Sequence, residues 1–271
     1  MESCLPSSGG FYSVGWFGPR PGKGGLTDRA SMAMDTIRII LYQKPLGITI
    51  SRRDAEEMRC FAPHFICFPE YFFVNKKLGS HAQTPHNFRR QLVRMRTLSR
   101  ELDTVVIGGT TPEPEGSRLY NTSFVFSKGE LLGSYRKRHL FFAEVGKITP
   151  GEHCGVFSAR GISFGVLICA DVFHDESFLE MGRLGARIIF IPTFSLRRQE
   201  TAEEKFQRDN DIFVRGARLS GALVVKVCGV KSEYRDFLQA RSLVADGSGV
   251  LYRVRPDEEE TPMIIKYEAL L

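Results

Sequence analysis

The chain has 271 residues, of which 42% are hydrophobic and 25% charged, and its formal net charge is +6. These proportions are ordinary for a globular protein, and they exclude a wholly disordered chain because enough apolar surface is present to offset the entropy lost on folding. At roughly 100–200 residues per domain, the length allows one large domain or two small ones.

The first part of the chain, residues 1–35, differs in composition from the rest. It contains seven glycines and three prolines, several of them in the run Gly18–Gly25. Glycine and proline at this density are typical of linkers rather than of packed elements. We therefore predict a flexible arm over residues 1–35 and a single folded domain over residues 36–271.

From Thr36 onward, short apolar runs alternate with amphipathic segments. The runs bounded by Gly, Pro or Asp predict strands at 37–41, 65–68, 104–107, 123–126, 162–168, 188–191 and 223–227. A further pair, 242–245 and 250–254, flanks a turn sequence and predicts a hairpin. The amphipathic segments predict helices at about 52–60, 86–102, 175–184 and 201–220. This alternation predicts an α/β fold whose core strands are covered by helices.

The excess of basic residues is dispersed along the chain. Small clusters at Arg89–Arg90, Arg136–Arg138 and Arg197–Arg198 have no interleaved aromatic residues and match no nucleic-acid-binding motif. A solvated surface is the simpler interpretation of these clusters. We predict no nucleic-acid partner.

The cysteine pattern and the absence of long apolar stretches indicate in which cellular compartment we expect the protein. The six cysteines include no C-x-x-C pair, which is typical of free thiols in a reducing compartment. No basic region followed by an apolar run is visible at the start, and no stretch reaches the 18 or so apolar residues of a membrane span. We expect a cytoplasmic protein without a membrane partner.

Three predicted strands end at reactive side chains. The strand 65–68 is followed by Glu70, the segment 131–135 leads to Lys137, and the strand 162–168 leads to Cys169. Reactive groups in α/β proteins lie where buried strands end, and a carboxylate, an amine and a thiol can serve as base, electrophilic stabiliser and nucleophile. Each residue alone also has a simpler interpretation, as a loop acid, a surface charge and an inert buried thiol.

Taken together, these three segments resemble the sequence blocks of the nitrilase, or carbon–nitrogen hydrolase, superfamily. Phe68-Pro69-Glu70 resembles the first block, Tyr135-Arg136-Lys137-Arg138-His139-Leu140-Phe141 the second, and Gly165-Val166-Leu167-Ile168-Cys169-Ala170-Asp171 the third. Further matches flank them at Asn121, Pro150-Gly151 and Gly185-Ala186. The resemblance covers nearly all of the chain beyond residue 36.

The resemblance implies a fold and a set of roles. The fold is a four-layer α-β-β-α sandwich. Cys169 is the nucleophile, Glu70 the general base, and Lys137 and the backbone N–H of Ala170 stabilise the oxyanion. Glu144, shortly before Pro150-Gly151, corresponds to a second glutamate that orients the lysine or the leaving amine. No metal or organic cofactor is required, and members commonly form dimers, so we expect a homodimer or a higher homo-oligomer.

The segment after the nucleophile departs from the pattern of many family amidases. Cys169 is followed by Ala170-Asp171-Val172-Phe173-His174, which lacks the usual arginine and puts in doubt a distal carboxylate held there by a bidentate pair. True nitrilases usually place Trp-Glu after the cysteine, so Ala170-Asp171 favours amides over nitriles.

The sequence therefore predicts a hydrolase of non-peptide carbon–nitrogen bonds, an amidase that releases ammonia from a small linear amide through a Cys169 thioester. Two alternatives stay open. One is nitrile or N-carbamoyl hydrolysis at the same site, and the other is a non-catalytic binding protein that retains the fold.

Aromatic residues near the three blocks are candidates for substrate binding. Tyr71, Phe173 and Phe194, together with Ala170, are predicted to line an apolar acyl pocket, although core packing explains each aromatic residue equally well. His139 has a structural interpretation within the lysine block, and the role of His174 stays open.

Overall fold

The computed structural model describes residues 36–74, 85–230 and 238–271. The predicted arm at residues 1–35 lies outside this part of the chain. Within the described residues, no helix is both long enough and apolar enough to cross a membrane.

The first sheet contains the strand that leads to Glu70. Its strands are β1 (Thr36–Gln43), β2 (Phe65–Cys67), β3 (Val105–Ile107), β4 (Thr111–Glu115), β5 (Arg118–Ser127), β6 (Glu130–Arg136) and β13 (Met263–Leu270). The order is β13-β1-β2-β3-β5-β4, with β6 also paired to β5. Strands β1, β2 and β3 are parallel, whereas β13 runs antiparallel to β1.

The second sheet contains the strand that leads to Cys169. Its strands are β7 (Gly155–Ala159), β8 (Ile162–Val166), β9 (Ile188–Thr193), β10 (Leu223–Cys228), β11 (Leu243–Ala245) and β12 (Val250–Arg253), in the order β12-β11-β10-β9-β8-β7. Strands β8, β9 and β10 are parallel. The predicted hairpin is confirmed as β11–β12, and Asp246 Oδ1 accepts hydrogen bonds from the turn N–H groups of Ser248 and Gly249.

The predicted helices are confirmed with small shifts of their ends. They are α1 (Arg52–Phe61), α2 (Pro85–Glu101), α3 (Asp175–Arg183), α4 (Ala202–Asp209) and α5 (Arg215–Ser220). Helix α1 begins where the Ser51 hydroxyl accepts a hydrogen bond from the Asp54 N–H. The segment predicted as one helix over 201–220 contains a π-helical turn, Asn210–Val214, between α4 and α5.

Successive side chains of each strand point to opposite faces of its sheet. One face of each sheet packs against the other sheet, and the opposite face packs against helices. Phe65 of β2 packs between the sheets against Phe164 and Phe190, with ring centroids 5.2 and 5.3 Å apart. The outer face of the first sheet packs on α1 and α2, and that of the second on α3 and α5. The predicted four-layer α-β-β-α sandwich is therefore confirmed.

Strand β6 contains the segment 131–135 that leads to Lys137, and three further strands, β4, β7 and β13, are absent from the prediction. The two prolines and two glutamates of β4, Thr111–Glu115, argue against a strand, but β4 lies at a sheet edge where proline is tolerated. Strand β13 follows the acidic segment Asp257–Glu260 near the end of the chain. It pairs with β1 along its whole length, from Met263 opposite Gln43 to Leu270 opposite Thr36.

Candidate active site

Residues at the ends of strands from both sheets meet beside one cavity. Glu70 follows β2, Lys137 follows β6, Cys169 follows β8 and Phe194 follows β9. Because the sheets face each other, the carboxyl ends of parallel strands from each sheet open toward the same space. The structure thus brings together the three blocks that the sequence separates.

Lys137 forms ion pairs with two buried glutamates. Its Nζ lies 2.9 Å from Oε1 of Glu70 and 2.7 Å from Oε2 of Glu144. The exposed fractions are 1% for Lys137, 1% for Glu70 and 6% for Glu144. The interpretation of Lys137 as a surface charge is therefore wrong, and the three side chains form one buried charged cluster.

Neutral donors fix both glutamates in place. Asn121 Nδ2 donates to Oε1 of Glu70 and to Oε1 of Glu144, each at 2.8 Å. The Phe194 N–H donates to Oε2 of Glu70 at 2.9 Å, and the Tyr71 hydroxyl donates to Oε1 of Glu144 at 2.9 Å. Each carboxylate is held by several hydrogen bonds, which restricts its rotation and orients it toward the lysine.

The pKa values of the two glutamates are shifted in opposite directions. Burial raises the pKa of Glu70 above its ordinary value, against the opposing attraction of Lys137. Burial also acts to raise the pKa of Glu144, but the Lys137 ammonium outweighs it and holds that pKa below the usual range. Glu144 is therefore a firmly ionised partner of Lys137, and Glu70 is the carboxylate more disposed to take a proton.

The Cys169 thiol is partly buried and borders the same cavity as this cluster. Burial and the negative charge of Glu70 raise the pKa of Cys169, while Lys137 acts in the opposite direction. Its Sγ lies 3.8 Å from the carbonyl oxygen of Phe194. The raised pKa favours the neutral thiol over the thiolate, and the adjoining Glu70 carboxylate can accept its proton.

The backbone at Cys169 is held in an unusual conformation. Its φ is 45°, in the left-handed region that non-glycine residues rarely adopt, and it begins a short 3-10 helix, Cys169–Phe173. Asp171 stabilises this turn, since its Oδ2 accepts the Ile168 N–H at 2.8 Å. Strain of this kind is retained where the surroundings fix it, often at functional sites.

Asp171 also connects this turn to the segment that carries Lys137. Its Oδ2 accepts the Tyr135 hydroxyl at 2.8 Å and its Oδ1 accepts the His139 N–H at 2.8 Å. The sequence alone assigns Asp171 no structural role. The available signal was an acidic residue two positions after the cysteine, but its partners are visible only in the folded chain.

The cavity beside these residues has a volume of about 400 Å³. Tyr71, Phe173 and Phe194 line it, and Phe173 is 53% exposed at its surface. Ala170 is buried and is not among the lining residues. The three aromatic residues thus border the cavity as expected, and their contact with a substrate stays a prediction.

A cluster of side chains that could ligate a metal, His139, His174 and Glu176, lies outside the cavity lining. The His139 and His174 rings stack with centroids 3.7 Å apart, and their ligand atoms lie with a Glu176 oxygen within 4.8 Å of one another. His174 and Glu176 are well exposed, at 43% and 63% of the side chain. The stacked contact gives His174 a packing role beside His139.

Comparison with known proteins identifies the family. The family model for carbon–nitrogen hydrolases matches residues 50–261, which include all three blocks. The chain therefore belongs to the carbon–nitrogen hydrolase family, within the nitrilase superfamily.

Two curated relatives are similar over part of their sequences. Omega-amidase NIT2 of Homo sapiens is 32% identical over 162 residues, covering 54% of this chain and 54% of that protein. The chloroplastic omega-amidase of Arabidopsis thaliana is 34% identical over 143 residues, covering 46% and 39%. The chain spans about half the length, or less, of the curated relatives it matches.

Solved structures share the fold over most of both chains. Nit3 of Saccharomyces cerevisiae, a member of branch 10 of the nitrilase superfamily, matches with a TM-score of 0.66 at 20% identity, covering 86% of this chain and 89% of that one. An amidase from Nesterenkonia sp. matches with a TM-score of 0.69 at 21% identity, covering 91% and 93%. A variant of that amidase in complex with butyramide has a TM-score of 0.70 at 20% identity, covering 91% and 94%.

Proposed function

We propose that the protein is an amidase that hydrolyses the carbon–nitrogen bond of a small linear amide through a thioester on Cys169. The observation that carries this proposal is the meeting of Cys169 with the Glu70–Lys137–Glu144 cluster at one cavity. Residues 36–271 form the hydrolase domain in this proposal.

In the first half-reaction, Cys169 attacks the amide. Glu70 accepts the thiol proton as the Sγ–carbon bond forms, so the negative charge moves to the carbonyl oxygen. Lys137 and the backbone N–H of Ala170 stabilise that oxyanion, an effect worth about 3–4 kcal/mol per donor in other acyl-transfer enzymes. Glu70 then gives its proton to the nitrogen as the carbon–nitrogen bond breaks, and ammonia leaves.

In the second half-reaction, water hydrolyses the thioester. Glu70, again ionised, takes a proton from the water as its oxygen attacks the acyl carbon, and the same donors stabilise the second oxyanion. Collapse breaks the carbon–sulfur bond, the proton returns to the sulfur, and the carboxylic acid leaves. The raised pKa of Glu70 suits a group that gains and loses a proton in each half-reaction.

Glu144 has a positioning role in this mechanism. Its Oε2 lies 2.7 Å from the Lys137 ammonium, and its Oε1 accepts a hydrogen bond from the Tyr71 hydroxyl. A fixed ammonium stabilises an oxyanion without first reorienting, which is the advantage of a preorganised site.

Two further observations favour amides over the alternative substrates. The residues after the nucleophile are Ala170-Asp171, where true nitrilases usually have Trp-Glu. The similar proteins include omega-amidases and an amidase in complex with butyramide. We further propose a homodimer or higher homo-oligomer located in the cytoplasm, as the family resemblance implies. Sedimentation velocity tests the oligomeric state, and a monomer across the micromolar range contradicts it.

The reaction class is tested by ammonia release from matched amides, nitriles and N-carbamoyl compounds. We expect release from amides that is lost in Cys169→Ala and retained in Cys60→Ala, because Cys60 is an exposed thiol outside the cavity lining. Release from another class, equally dependent on Cys169, changes the substrate class. Equal release by wild type and Cys169→Ala, or no release from any class, contradicts the proposal.

A further inference from the structure

Two histidines and a glutamate lie together outside the cavity lining, and the proposed hydrolysis does not use them. His139 lies two residues after Lys137, and His174 and Glu176 lie where the short helix Cys169–Phe173 passes into α3. One ligand atom of each residue, a ring nitrogen or a carboxylate oxygen, lies within 4.8 Å of the other two. The cluster therefore brings the segment of the proposed oxyanion-stabilising lysine next to the segment of the proposed nucleophile.

Two of these side chains already have the spacing of neighbouring metal ligands. Nδ1 of His174 lies 3.5 Å from Oε1 of Glu176. In a tetrahedral site with zinc–ligand distances of about 2.0–2.2 Å, neighbouring ligand atoms are about 3.3–3.5 Å apart. Imidazole nitrogens and carboxylate oxygens both bind zinc, and a set of two histidines and one glutamate leaves the fourth position to water.

His139 supplies a ring nitrogen that lacks a partner. Its Nε2 is buried and accepts or donates no hydrogen bond within the described residues. A buried polar atom without a partner costs free energy, and a metal ion supplies the missing partner. The His139 and His174 rings are stacked, with 14° between their planes, so a metal lying in both ring planes requires one ring to turn. The side chain of His174 is 43% exposed and has room to do so.

The backbone of both histidines is held by one buried residue. Oδ1 of Asp171 accepts the His139 N–H at 2.8 Å, and the carbonyl oxygen of Asp171 accepts the His174 N–H at 3.3 Å. Asp171 itself is fully buried. Side-chain rotations alone then complete the site, and binding is favoured where few groups have to be ordered.

The charges around the cluster favour a cation. Those that act on the His139 ring include the negative carboxylates of Asp171 and Glu176 and the positive guanidinium of Arg138. Arg138 is itself paired with Glu180, 2.5 Å away. The positive neighbour is thus compensated, whereas the carboxylate of Glu176 is available as a ligand.

We propose that His139, His174 and Glu176 bind a divalent transition-metal ion, represented by Zn²⁺, and that the bound ion links the segment of Lys137 to the segment of Cys169. Imidazole ligands favour Zn²⁺ over Mg²⁺ and Ca²⁺, which prefer sites made of oxygen atoms. The proposed hydrolysis requires no metal, so the role of this site is structural. An ion that binds the folded chain and not the unfolded one raises its stability.

Calorimetric titration with Zn²⁺ tests the site in the Cys169→Ala variant, which lacks a competing thiol ligand in the cavity. We expect one ion per chain with a micromolar dissociation constant. A second substitution, His174→Ala or Glu176→Gln, weakens binding at least about 10-fold, because even changes to the partners of metal ligands weaken binding about 10- to 100-fold. His153→Ala removes an exposed histidine outside the cluster and leaves binding unchanged. Failure to bind one ion per chain, or equal binding after His174→Ala, overturns the inference.

Thermal unfolding of the same proteins tests the proposed link. We expect Zn²⁺ to raise the Tm of Cys169→Ala, by an amount that grows with the logarithm of the metal concentration, and Mg²⁺ to leave it unchanged. The rise is lost after the second substitution His174→Ala and retained after His153→Ala. An equal rise in the His174→Ala protein, an equal rise with Mg²⁺, or zinc binding without any rise contradicts the link.

Discussion

The Phe194 N–H donates a 2.9 Å hydrogen bond to Oε2 of Glu70. Glu70 follows β2 of the first sheet and Phe194 follows β9 of the second, so this bond joins the two sheets at the candidate site. The carbonyl of the same residue lies 3.8 Å from Cys169 Sγ. One peptide segment thus contacts both the proposed base and the proposed nucleophile, and it fixes their separation.

The ionisation of Glu70 determines how the proposed activity depends on pH. Only the carboxylate form accepts the Cys169 proton, so kcat/KM rises as pH increases through the pKa of Glu70. Because burial raises this pKa from 4.5, we expect the acidic limb of the profile above that value. The measurement is kcat/KM against pH for the best amide, and a limb at or below the ordinary glutamate value argues against Glu70 as the base.

Glu144→Gln tests whether the second glutamate positions Lys137. The amide keeps the size of the side chain but loses the negative charge that holds Nζ at 2.7 Å. We expect kcat to fall about 100-fold, the scale of loss for a displacement of about 1 Å in a catalytic group. Glu180→Gln, at a partly exposed pair with Arg138, is the control and keeps its activity. Similar activities of the two variants mean that Glu144 has no such role.

Asp171→Asn tests the connection between the cysteine turn and the lysine segment. An amide nitrogen cannot accept the Ile168 N–H, Tyr135 hydroxyl and His139 N–H as the two carboxylate oxygens do. We expect the free energy of unfolding to fall by about 2–4 kcal/mol in urea titrations, and by about 1 kcal/mol in Tyr135→Phe. Equal stability of Asp171→Asn and wild type contradicts this account.

Gly109→Ala tests whether the close packing of Gly109 against Pro69 is needed to position the neighbouring Glu70. At a φ of 63°, a Cβ here lies 2.1 Å from the Pro69 carbonyl oxygen. We expect a loss of more than about 2 kcal/mol in unfolding free energy, with reduced activity because Pro69 precedes Glu70. Gly116, at a φ of 58° with no atom within 4 Å, is the matched control. Its alanine variant loses about 1 kcal/mol from backbone strain alone. Losses of equal size contradict the steric argument.

The parts of the fold that sequence predicts best are those with local signals. The strand before Glu70 and the strand before Cys169 are short apolar runs bounded by other residue types, and both were predicted within two residues of their observed ends. The proline-containing β4 was missed because its pairing depends on an edge position in the sheet, which no local pattern encodes.

In the candidate site, too, the residues with local sequence motifs are predicted, whereas those that depend on tertiary contacts are not. Glu70, Lys137, Glu144 and Cys169 were named from motifs, and the structure places them at one cavity. The contribution of Phe194 comes from its backbone, which residue type does not predict. Arg241 lies beyond the sequence blocks, and its place in the cavity lining is visible only in the folded chain.

The central claim, a thioester on Cys169, is tested most directly by trapping the intermediate. Wild-type protein is mixed with its best amide substrate, quenched in acid within milliseconds, and examined by intact and peptide mass spectrometry. The mechanism predicts an added acyl mass on the peptide containing Cys169, absent from Cys169→Ala and retained in Cys60→Ala. Steady turnover without any adduct on Cys169, or an adduct on another cysteine, contradicts the mechanism.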